Sequence, residues 1–386
     1  MSMKKLNFAA LLLALFAFGT VSAEPKEDRS YVGDFSDKKA SLAYLVEGKE
    51  NPVTFKEISG KNVVFIDSTG SDLTVERGSD TFKFVLKADN EALKAAAKAY
   101  GAGEWELAAE KLRPVVYPIA PLCALSEGAF SADGYVDMFI TSLLNSGRLV
   151  EAEAFAKSLP IELASAPVIN NVMEVADALC KKGKFANAIS IVERVDLKDN
   201  SQFAAADSVA NVLSQLKNAG KIKEILPIFS KLGASGNPRA DEFKLWGTYC
   251  DIVLGQRNSA EIYLGALKID RQNGAFSLYK MLQGDLRQTD PKKPSVADAL
   301  DAYSEGIVFG KVASDWMPEL LFKTGMAYKT VKNFNASNEI FAQIKAMYPE
   351  SPFAAKGEKE VVKIEKKVVS EMSHDDDDED DDDDDE

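Results

Sequence analysis

The sequence predicts a mainly α-helical protein, a solenoid of helical hairpins preceded by a small β domain. Three observations predict it. Strand-like alternation broken by glycine turns is confined to residues 31 to about 88. From Glu91 onward the apolar residues take helical spacing on Ala-rich faces. Within that helical part a glycine-anchored phrase returns at steps of 35 to 44 residues, the period of a helical-hairpin array.

Residues 1–23 read as a cleavable export signal: Lys4 and Lys5, an apolar stretch from Phe8 to Phe18, then Val21-Ser22-Ala23 before Glu24. The stretch is shorter than the ~20 residues a bilayer span needs, and no later segment is apolar enough to cross. No cysteine follows the cleavage site, which argues against a lipid anchor. The expected mature chain is therefore soluble and periplasmic or secreted, from a bacterial source. Residues 24–89 form the β domain, with Val53-Thr54-Phe55, Val63-Val64-Phe65-Ile66, Leu73-Thr74-Val75 and Phe82-Lys83-Phe84-Val85-Leu86 as strand signals. Turns fall at Ser59-Gly60, Ser68-Thr69-Gly70 and Arg77-Gly78-Ser79. Four or five such strands make a small barrel or curled sheet that is stable with one face covered. The turn from Asp67 to Asp72 reads as one closed by its own Asx hydrogen bonds rather than as a cation site.

Residues 90–370 carry the repeated phrase. It runs Gly103-Glu104-Trp105 with Ala108, Gly147-Arg148-Leu149 with Ala152, Gly183-Lys184-Phe185 with Ala188, and Gly220-Lys221-Ile222 with Ile225; Gly255-Gln256-Arg257 with Ala260 is a weaker copy. Glycine ends the first helix in a left-handed turn, the large apolar residue wedges between paired helices, and alanine lets their backbones approach. Each hairpin leaves an apolar face that the next one covers, so stability is a sum over neighbours. Between the Gly255 copy and the last one, Ala260 to Ser337 leaves room for one more hairpin, with Asp290–Ser295 as its loop and Ser295 capping the helix that follows. Pro114, Pro118 and Pro121 punctuate the join after the first hairpin. Six to seven hairpins are expected, with residues 352–370 as a terminal capping helix.

The clearest copy is the last. Counting Pro318 as its first residue puts Gly325 at position 8, Tyr328 at 11, Phe334 at 17, Phe341 at 24 and Pro349 at 32; Ser337 and Ile344 stand at positions 20 and 27. This spacing, with the linker Tyr348-Pro349-Glu350-Ser351-Pro352-Phe353-Ala354, resembles the tetratricopeptide repeat family. The resemblance implies a right-handed α-solenoid and a binding role in bacterial envelope assembly, secretion or cell-wall machinery. Some members grip a peptide's terminal carboxylate with Lys and Asn at positions 5, 6 and 9. The last repeat offers Phe322, Lys323 and Met326 there, and the Gly183 copy offers Met173, Glu174 and Asp177, so that clamp is not reproduced.

Charge and composition narrow the chemistry. The chain carries 46 basic and 60 acidic residues, but twelve of the acidic ones form the run Asp375 to Glu386. Without that run and the leader lysines, the net charge is -4. A nearly neutral body disfavours nucleic-acid binding, which draws its affinity from Lys and Arg on phosphates. The single histidine, His374, adjoins the tail. Histidine triads, His-ligated zinc and histidine bases therefore have no place in the body. Cys123, Cys180 and Cys250 are odd in number, lack metal-ligand spacing and sit among apolar neighbours, as buried free thiols do. Gly183-Lys184 and Gly220-Lys221 lack the rest of a phosphate loop and are hairpin turns. The aromatics, Trp246 and Trp316 included, read as hairpin core.

Residues 371–386 are expected to be a disordered acidic tail. Asp375, Asp376, Asp377, Asp378, Glu379 and Asp380 begin the run that could meet a basic partner surface or weakly hold divalent cations. The functional expectation is a non-catalytic protein-interaction scaffold of the bacterial cell envelope, with no cofactor and no metal. The alternatives are an enzyme working through carboxylates and a cation-binding protein working through the tail.

Overall fold

A computed structural model describes residues 28–363 apart from 78, 80, 88, 89, 126 and 127. It is mainly helical with a five-stranded antiparallel sheet near the N-terminus. The chain forms two compact units, the first ending at Leu254 and the second beginning at Gly255. The expected leader and the acidic tail lie outside the described residues.

The first unit opens with one helical turn, α1 (Val32–Phe35), and the strands β1 (Leu42–Val46), β2 (Lys49–Ser59), β3 (Asn62–Asp67), β4 (Asp72–Glu76) and β5 (Lys83–Leu86). They lie in the order β4-β3-β2-β1-β5, every pair antiparallel. Alternation chooses the inner face: Val53, Val63, Phe65, Val75 and Phe84 are buried, and Phe65 stacks on Phe84 at 4.6 Å. Phe55 pairs with Phe65 and Glu57 with Val64, so the register slips by one residue at Lys56 and β2 bends there. The Asp67 turn closes as the sequence suggests, its Oδ1 accepting from Thr69 N, Thr69 Oγ1 and Ser71 N. The sheet is tied to a turn of the same unit, where Phe84 N–H donates to Ala129 O at 2.8 Å.

The rest of the first unit is α2 (Asn90–Gly101), α3 (Trp105–Ile119), a 3-10 turn (Ala120–Ala124), α4 (Asp133–Asn145), α5 (Leu149–Ser158), α6 (Ala166–Lys181) and α7 (Phe185–Val192), followed by a second 3-10 turn (Asn200–Ala205), α8 (Ala206–Asn218), α9 (Ile222–Ala234) and α10 (Ala240–Val253). Gly103, Gly147, Gly183 and Gly220 separate helices as expected, each with φ between +72° and +78°. Each makes one hydrogen-bond pattern. The N–H of Gly147 donates to Leu144 O at 3.1 Å and that of Arg148 to Leu143 O at 2.8 Å; the same pair of bonds recurs at the other three. This closes the last carbonyls of the preceding helix and requires the left-handed residue. Five residues after each glycine, Ala108, Ala152, Ala188 and Ile225 are 0 % exposed.

The proline reading is corrected. Pro114 and Pro118 do not punctuate a join but lie inside α3, and only Pro121 falls in the 3-10 turn after it. Each proline removes one helical bond. Yet Leu112, Val116, Tyr117 and Ile119 are buried along the same helix, and that burial outweighs the lost bonds.

The second unit contains α11 (Arg257–Ala266), α12 (Phe276–Gln288), α13 (Val296–Phe309), α14 (Met317–Thr330), α15 (Phe334–Met347) and α16 (Pro352–Glu360). Ser295 caps α13, its Oγ accepting from Asp298 N at 3.2 Å. Between α14 and α15 the glycine-type turn recurs with Lys332 in the glycine's place, at φ +61°. Its N–H donates to Lys329 O and that of Asn333 to Tyr328 O, both at 3.0 Å. The helix expected over 352–370 ends at Glu360. The Asn338 amide side chain bonds both Val362 N–H and Val362 O, which pins the chain just after α16.

Candidate functional site

The repeat-defining residues hold hairpins together. Trp105 is half-buried and meets Tyr100 edge-on at 5.4 Å across the Gly103 turn, while Phe185 is likewise half-buried beside the Gly183 turn. In the last repeat a Cβ at Gly325 would stand 2.5 Å from Phe341 Cε1, so the glycine leaves room for that ring. Phe341 is buried, Tyr328 and Phe334 are half-buried, and Pro349 is exposed just after α15. Trp246 and Trp316 are core residues; Trp316 Nε1 donates to Ser277 Oγ at 2.8 Å. All three cysteines are free and buried. Burial pushes the Cys123 and Cys250 thiols up to about 12 and Cys180 up to about 11. The tail residues Asp375 to Asp380 lie outside the described residues.

A cluster that the sequence reading did not single out stands at the second hairpin. Glu151, in the first turn of α5, is 0 % exposed. Arg113 of α3 grips it with both ends of its guanidinium, Nε to Oε1 at 2.6 Å and Nη2 to Oε2 at 2.9 Å. Arg148, next to the Gly147 turn, donates from Nε to Oε2 at 2.9 Å and from Nη1 to Glu106 at 2.6 Å. A carboxylate between two forked cations is held in one geometry, which makes the two arginines fixed donors. Tyr117 lies beside them, its hydroxyl held above the ordinary phenol range by burial and then by the Glu151 charge.

Onto this cluster folds a strap formed by residues 28–35. The Asp28 carboxylate accepts from Val150 N–H at 3.0 Å and Glu151 N–H at 3.2 Å, capping α5 from a distant part of the chain. Arg148 Nη2 donates to the Tyr31 hydroxyl at 3.0 Å. The Tyr31 ring receives the Arg113 guanidinium at 4.2 Å and that of Arg29 at 4.2 Å. Phe35 stacks on Tyr117 with centroids 5.1 Å apart. Beside the strap is a pocket of about 250 Å³ whose walls include Phe35, Phe55, Tyr117, Ser158, Lys38 and Lys39. The arrangement can bind a carboxylate, a phenol and a second ring at fixed spacing.

The second unit has its own buried network. Lys323 Nζ reaches Asp285 and Glu319, and Tyr303 donates its hydroxyl to Asp285 at 2.8 Å. Burial raises the Asp285 carboxyl against the opposing pull of Lys323. Lys323, at position 6 of the last repeat, is thus paired with acids of its own unit. The signal for the first cluster in the sequence is weak: at the same offsets from their glycines the other copies carry Glu104, Lys184 and Lys221, and Leu107, Asn187 and Glu224, none of them buried, so the charges of Arg148 and Glu151 do not stand out. Neither protein-family models nor curated proteins match this chain.

Proposed function

We propose that this chain is an exported, tetratricopeptide-like protein whose right-handed array of hairpins serves as a non-catalytic interaction scaffold in the bacterial cell envelope. The observation that carries the reading is the repeated turn. Four glycines make one left-handed turn with one hydrogen-bond pattern, and the fifth residue after each is fully buried. A unit repeated in this way builds surface by addition, which suits recognition of extended partners. The test is crosslinking of the mature chain in envelope fractions, with and without residues 374–386. One recurrent stoichiometric partner is expected from at least one form. Recovery of none from either form would refute the scaffold reading.

A further inference from the structure

We infer that the Arg113–Arg148–Glu151 cluster and the N-terminus of α5 form a peptide-recognition site that residues 28–35 occupy in cis, and that its partner is a protein segment carrying an acidic residue, a tyrosine three residues on and an aromatic ring four residues further. The inference rests on the scaffold reading and names the partner's chemistry.

The site is built independently of the strap. Glu151 already fixes both arginines, and the two N–H groups that Asp28 caps belong to a helix ten residues long. The strap, by contrast, contributes little that is buried: none of the residues of α1 is, Asp28, Tyr31, Val32 and Phe35 are only half-buried, and Arg29, Ser30, Gly33 and Asp34 are exposed. Its hold consists of side-chain recognition contacts, a carboxylate on a helix start, a phenol on a guanidinium and a ring on a ring. Segments held by few buried contacts are those that open most readily.

A tethered strap competes at an effective concentration on the order of millimolar, so it weakens a partner of micromolar affinity substantially. The experiment measures binding of a fluorescent peptide with the sequence of residues 28–39 to the full mature chain and to the chain carrying Asp28→Ala and Tyr31→Ala. The substituted chain is expected to bind at least about tenfold more tightly, and a peptide bearing the same two substitutions is expected to bind neither. Equal binding by both chains, or none by a substituted chain with unchanged circular dichroism, overturns the inference. Should the double variant fail to fold, Tyr31→Phe alone is expected to tighten binding severalfold, and no change there overturns it as well. A concentration-dependent dimer of the unsubstituted chain, lost on substitution, would overturn the assignment of a separate partner in favour of strap exchange between copies. Envelope capture that succeeds while the peptide fails removes this inference alone; peptide binding with no captured partner removes the scaffold reading alone.

Discussion

Exchanging glycine and non-glycine at the repeated turn changes stability in opposite directions at two places in the chain. Lys332 holds the left-handed position between α14 and α15 at φ +61° and is exposed. A side chain there costs about 1–2 kcal/mol relative to glycine. Glycine returns part of this, about 0.4–1 kcal/mol, through the greater freedom of the unfolded chain. Lys332→Gly is therefore expected to stabilise its hairpin by roughly 0.5–1 kcal/mol. Gly147→Ala is the mirror experiment: no atom lies within 4 Å of the added Cβ, so the conformational term acts alone and the cost is about the same size. Because repeated arrays can open locally, amide exchange reports this better than a single melting curve. Amides of α15 in Lys332→Gly should exchange about 2- to 5-fold more slowly, and those of α5 in Gly147→Ala faster by the same factor. A neutral Gly147→Ala, or a faster-exchanging Lys332→Gly, would refute the assignment of the turn.

Three other perturbations separate packing, charge and burial. Gly325→Ala puts a methyl group 2.5 Å from the buried Phe341 ring, so chemical denaturation should show a loss of about 1–3 kcal/mol even though alanine favours helix. Glu151→Ala leaves Arg113 and Arg148 without their shared carboxylate, and a loss of about 3–5 kcal/mol is expected in the same assay. Alkylation at pH 8 should leave all three thiols of the native chain unmodified and reach them in guanidinium, because burial holds them up to about 11 or 12. Since each folded thiol titrates above its unfolded value near 9, their contribution is constant below pH 9 and is lost as pH climbs toward 11–12; replacing all three by alanine should flatten that alkaline slope.

The hairpin turns could be read from the sequence because a left-handed residue leaves a glycine behind, and four glycines recur with buried residues at a fixed offset. The same logic passed over the last turn, where Lys332 bears the strain; the phrase survives there as Phe334 and Ser337, two and five residues on. Pro114 and Pro118 misled for a different reason: their local cost is visible in sequence, while the packing of α3 that overcomes it is not. Strand positions followed from alternation, though β1 emerges only through its pairing with β2 and β5. The strap site was hidden because a pairing between Tyr31 and Arg148 obeys no periodicity. The charges of Arg148 and Glu151 gave no hint of it, because the other copies carry unburied residues, Glu104, Lys184 and Lys221 or Leu107, Asn187 and Glu224, at the same offsets.

The strap also sets an order of events in folding. Helix pairs joined by short turns find one another over a few tens of residues, and such contacts form quickly. Asp28 and Tyr31 instead meet residues more than a hundred positions away, at separations of 122 and 117. That closure pays its loop entropy only after α3 and α5 have come together to present Arg113, Arg148 and the amides of Val150 and Glu151. The earliest of the described segments to leave the ribosome is thus the last of them to reach its place.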